Sequence, residues 1–111
     1  MSTTPTPLFD PFLVTAGTTT AYTVPANTKT IIKHLAAFNN STTPVNLRVY
    51  LVESGGSAGD SNTIFNELIA AKKPAIIFAA INATLEAGAT IQVVAGSASA
   101  ISIHGGGNEI V

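Results

Sequence analysis

The sequence predicts an all-β fold: a single small β-sandwich, jelly-roll-like or immunoglobulin-like, with an extended N-terminal arm. Three observations carry this. Short runs such as "VNLRVYLV" and "ATIQVVAG" alternate apolar and polar side chains and are rich in β-branched residues, the period of a half-buried strand. Clusters of Gly, Pro, Asn and Ser separate these runs at short intervals, as in sandwiches and barrels. The length of 111 residues suffices for one modest core and little more.

Residues 1–17 read as a Pro/Thr-rich arm. In "MSTTPTPLFDPF", Pro5, Pro7 and Pro11 remove backbone donors and favour an extended, polyproline-like chain. The arm is therefore expected to stay out of the sheet, which makes Leu8, Phe9 and Phe12 candidate partner-binding residues. The sandwich domain, residues 18–111, begins with "TTAYTV", which puts Tyr22 and Val24 on one face before Pro25-Ala26-Asn27 ends the run. "TKTIIKHLAAF" fits two patterns, because Ile31, Ile32, Leu35 and Phe38 also match a helical stripe. Its β-branched residues and the turn clusters on both sides decide for strand.

"VNLRVYLV" is the clearest strand: Val45, Leu47, Val49 and Leu51 alternate with Asn46, Arg48, Tyr50 and Val52. "ESGGSAGDSN" is a loop. "TIFNELIA" is compatible with helix or strand, since Ile64, Phe65, Leu68 and Ile69 fit period 3.6. "KKP" breaks the chain before "AIIFAAI", and "LEAG" is a turn. "ATIQVVAG" and "AISIH" then read as a hairpin with a Gly/Ser connection. The run Gly105 to Gly107 is expected to bend freely, and "NEIV" to add a last short strand or reach a partner.

Only 10% of residues are charged while 46% are hydrophobic, against about 25% charged in ordinary globular proteins. Mean hydropathy is +0.40. Such a surface is covered by hydroxyls, amides and glycine, or by other subunits, and suits a member of an assembly. A net charge of -1 offers no basic footprint for nucleic acid. There is no cysteine, so disulfides, thiolate metal sites and cysteine nucleophiles are excluded. No signal-peptide pattern and no apolar run of about 18 residues is seen, and the expectation is a chain made in the cytoplasm, with no membrane partner.

Catalytic, cofactor and metal sites are all expected to be absent. His34 and His104 have no locally spaced ligand partner and read as structural or surface histidines. Lys29 and Lys33 read as solvated charges on a strand edge that deter pairing. The Glu53 to Asn62 loop could offer calcium its carbonyls with Asp60 and Asn62, but the twelve-residue loop pattern is missing. "SGGSAG" departs from the phosphate-binding pattern, and no Gly-x-Ser-x-Gly accompanies the many serines. The sequons at Asn39, Asn40 and Asn82 mean nothing without export.

Three phrases in this order carry a resemblance: "YTVPANTKTIIK", then "NNSTTPVNLRVYLVESGGSA", then "LEAGATIQVVAGSASAISIHGGGNEI". Over about Tyr22 to Ile110 the chain resembles small β-sandwich virion structural proteins of tailed bacteriophages. The resemblance implies a non-enzymatic virion component on the capsid shell, neck or tail. The first expectation is a capsid decoration protein that binds the major capsid protein as a homo-oligomer, a trimer being favoured. A tail, neck or baseplate protein of the same fold is the alternative. A host-glycan-binding sandwich is a third, disfavoured because the chain has no Trp and only Tyr22 and Tyr50 as tyrosines for sugars to stack on.

Overall fold

The computed structural model describes residues 3–111. Its strands are β1 (Thr3–Leu13), β2 (Thr19–Thr23), β3 (Lys29–Asn39), β4 (Val45–Val52), β5 (Thr63–Ile69), β6 (Pro74–Ile76), β7 (Thr84–Leu85), β8 (Thr90–Ala95) and β9 (Ile101–Ile110). Short 3-10 turns at Asp60–Asn62 and Phe78–Ala80 complete the list. Sheet A runs β1-β9-β3-β6, with β7 also on β3, and sheet B runs β2-β8-β4-β5. All pairs are antiparallel, and the chain is the all-β sandwich its alternating runs predict.

Both segments that fit helix and strand are strands, and each carries a β-bulge. Thr30 and Ile32 face inward on β3; then Lys33 and His34 are both exposed, and Leu35, Ala37 and Asn39 face inward again. The register with β9 slips between Ile32 and His34. One extra residue thus turns the inward spacing from two to three, which mimics a helical stripe. On β5, a slip where Phe65 and Thr63 meet Val49 and Tyr50 makes Ile64 the extra residue. Phe65, Glu67 and Ile69 then lie opposite Val49, Leu47 and Val45.

The N-terminal segment corrects the expectation of an arm kept out of the sheet. Residues 3–13 form the outermost strand of sheet A along β9. An edge strand hydrogen-bonds on one side only, so prolines whose nitrogens face the free side cost no ladder bond. Pro5 and Pro7, two residues apart, point their nitrogens the same way. Leu8 is buried in the core, and Phe9 and Phe12 pack against it with their rings edge-on at 5.7 Å.

Two further expectations are corrected. β8 and β9 are no hairpin: β8 lies between β2 and β4 in sheet B, and β9 between β1 and β3 in sheet A. The Gly/Ser connection therefore crosses from sheet to sheet. Nor do Gly105 to Gly107 bend freely, since all three are buried inside β9. A Cβ on Gly107 would strike the Ile31 carbonyl, and one on Gly106 the His34 ring. "NEI" simply continues β9.

Between the sheets, Ile32, Leu35, Ile101 and Ile103 meet Leu47, Val49, Ile91 and Val93, all fully buried. Two polar groups are also enclosed. The Tyr22 hydroxyl of β2 contacts Thr30 Oγ1 of β3 at 2.8 Å and donates to Glu109 Oε2 of β9 at 2.6 Å, tying sheet B to sheet A. Asn39, fully buried, donates from Nδ2 to the carbonyls of Thr43 and Ile69 and accepts from the Ser41 amide and hydroxyl. Tyr50 and Val52 are buried outside the main core cluster. Gly56 of the Glu53 to Asn62 loop lies close to Val52.

Candidate functional site

The outer face of sheet A carries exposed apolar side chains beside Lys33, His34 and His104. Its register sets Leu13, Ser102, Phe38 and Pro74 in one row across β1, β9, β3 and β6. The next row holds His104, Ala36 and Ile76. Leu13 is 48% exposed, Phe38 37% and Ile76 51%. On the neighbouring strands β3 and β6, Phe38, Pro74 and Ile76 form a patch, with Leu13 beyond Ser102 of β9; such a cluster carries more meaning than scattered exposed residues.

Beside these rows the face dips into a groove of about 540 Å³, lined by Pro5, Pro7, Lys33, His34, His104 and Gly106 among others. The dip follows from the glycines: β9 lacks side chains opposite Pro7 and Phe9 on one side and His34 and Leu35 on the other. Bulges flank the glycines on both neighbouring strands. His34 and His104 come together here, their rings 5.8 Å apart and tilted by 58°, and both are exposed. Sequence spacing could not reveal this pair, because it depends on the register of β3 against β9 and on the bulge at Lys33.

Lys33 donates to Asn82 Oδ1 at 3.0 Å, and Lys29 lies 3.5 Å from Glu86, both side chains being largely exposed. The reading of these lysines as edge charges is corrected, since β3 lies inside sheet A between β9 and the short β6 and β7. Lys33 is instead the residue that the bulge pushes outward.

Elsewhere, polar groups are taken up locally. Asp60, the carboxylate weighed for calcium, accepts from Arg48 Nη2 at 2.6 Å, and the Arg48 guanidinium lies 5.2 Å from the Tyr50 ring centre. The Asn62 side chain binds the Gly59 amide and the Ser57 carbonyl. Among the described residues, no group of three or more His, Cys, Asp or Glu could hold a metal ion.

The candidate partner-binding residues Leu8, Phe9 and Phe12 are placed inside or against the chain's own core. Leu13, Phe38 and Ile76 take the outward positions that sequence reasoning missed. No family model, curated protein or solved structure matches this chain.

Proposed function

We propose that the chain is a non-enzymatic virion structural protein of a tailed bacteriophage, a capsid decoration protein that lays the outer face of sheet A on the shell of major capsid protein. The observation that carries the reading is the uncharged, partly apolar surface of Leu13, Phe38, Pro74 and Ile76. Covering it desolvates few charges, and burying exposed aliphatic and aromatic side chains favours association by about 25 cal/mol per Å² before ordering costs. The three phrases that resemble phage virion proteins supply the kind of partner. Low overall charge agrees with a protein that works among copies of itself.

The same face would serve a tail, neck or baseplate protein, from which copy number per particle separates a shell protein. The glycan-binding alternative loses support, because Tyr22 and Tyr50 are 8% and 7% exposed and present no open ring for a sugar to stack on. The test is cosedimentation of purified protein with particles that lack it. Binding is expected, and Phe38→Asp with Ile76→Asp should abolish it in a chain that still folds. Equal binding by that double variant sinks the assigned face.

A further inference from the structure

On the outer face of sheet A, four positions of β3 and β9 form two adjoining pairs: His34 lies opposite Gly106, and Ala36 opposite His104. The histidines occupy one diagonal of this quartet, a glycine and an alanine the other. Diagonal neighbours on one face of an antiparallel pair lie within reach of aromatic side chains, and the two small corners leave the imidazoles room to approach. The edge of the His34 ring that carries Cε1 and both nitrogens lies over Gly106, where a Cβ would strike it. The ring centres of His34 and His104 are 5.8 Å apart, and both side chains are exposed.

We propose that His34 and His104 together bind one divalent transition-metal ion of the zinc, nickel or copper class, through one ring nitrogen each. A zinc–imidazole bond is about 2.0–2.1 Å and the ring centre lies about 1 Å behind the nitrogen, so two rings on one tetrahedral ion stand about 5 Å apart. The observed separation lies within a small side-chain adjustment of that value, and exposed side chains reorient quickly. Imidazole nitrogen suits zinc, copper and nickel. Calcium and magnesium take oxygen ligands instead, so the pair discriminates against them.

The surroundings set the strength of the site. Among the described residues lining the groove none is acidic, so no carboxylate there competes for the rings and none adds charge to hold the ion. Lys33 shares the groove, with its ammonium donating to Asn82 Oδ1 at 3.0 Å. Two protein ligands leave the other positions of the ion to water, which makes the site weaker than the closed four-ligand kind. Spacing along the chain, seventy residues from His34 to His104, gives no sign of it, because the register of β3 against β9 makes the pair. The inference does not rest on the virion reading, since the ion binds the isolated chain.

The test uses the untagged full chain in titration calorimetry with zinc and nickel chloride, in a buffer that does not chelate. One ion per chain is expected, with no heat of binding from magnesium or calcium at the same concentration. His34→Asn and His104→Asn should each weaken zinc binding by more than about tenfold, and should leave the metal-free melting temperature unchanged because both rings are exposed. Zinc should raise the melting temperature of the unsubstituted chain and of neither variant. The chain has only 2 histidines, so proton NMR gives a readout that needs no variant: zinc should move the Cε1 proton signals of both rings at the same ratio of ion to chain. No binding at millimolar zinc overturns the inference. So does one ion per two chains, a zinc affinity indifferent to either substitution, or a shift of one ring alone.

Discussion

The Tyr22 hydroxyl on β2 donates to the Glu109 carboxylate on β9 at 2.6 Å, across the interface between the two sheets. Burial pushes this hydroxyl up to about 12 from its ordinary value of 10.0, and the hydrogen bond to Glu109 adds to the rise. The folded chain therefore keeps a proton that the unfolded chain releases near pH 10. The stabilisation is complete below pH 10 and is lost as pH rises from 10 towards about 12. Melting temperature followed from pH 8 to pH 12 should fall across that window, and Tyr22→Phe should flatten the fall. An equal fall in the variant would show that other groups govern alkaline stability.

Asn39 uses both ends of its amide, donating to the carbonyls of Thr43 and Ile69 and accepting from Ser41. Asn39→Asp keeps the shape but replaces the donor with an acceptor. Loss of the donor to the buried Ile69 carbonyl should cost about 1 to 3 kcal/mol; the exposed Thr43 carbonyl keeps the Ser41 hydroxyl. Urea denaturation of the variant should show a clearly lowered midpoint. An unchanged midpoint would mean that the loop after β3 rearranges without loss.

The glycines of β9 separate two kinds of crowding. In Gly106→Ala the new methyl meets the His34 ring, an exposed side chain that can swing aside. In Gly107→Ala it meets the Ile31 carbonyl, part of a paired backbone. Gly107→Ala should therefore lose more stability, about 1 to 3 kcal/mol, than Gly106→Ala. The reverse order in thermal denaturation would contradict the packing described.

Leu8 is 8% exposed and belongs to the core, so the N-terminal segment contributes to folding. Leu8→Ala should destabilise by about 2 to 5 kcal/mol, and deletion of residues 1–13 should lower the melting temperature substantially. A truncated chain that melts like the intact one would restore the picture of a free arm.

These cases show how far the sequence could be read. "VNLRVYLV" declared β4 because β8 follows its register without a break and β5 follows it as far as Val49, and its inward residues keep a period of two over the same stretch. β3 blurred into helical spacing because a bulge adds one residue between Ile32 and Leu35, and bulges depend on the partner strand; β5 did so because the apolar Leu68 faces outward, opposite Asn46. β1 was misplaced because prolines forbid an interior strand but tolerate an edge, and sequence alone does not say which position a strand takes. The β8–β9 turn was misread for a related reason: a Gly/Ser link can reverse a chain within one sheet or pass it to the other. The outward positions of Leu13, Phe38 and Ile76, in two adjoining rows, needed the registers of β1, β9, β3 and β6 at once.

The central claim, that this chain is a shell component of a virion, is tested most directly by counting its copies in purified particles by quantitative mass spectrometry against the major capsid protein. The account predicts a fixed ratio of the order of the shell subunits themselves. A few copies per particle would move the protein to the neck or tail, and its absence from purified particles would contradict the account.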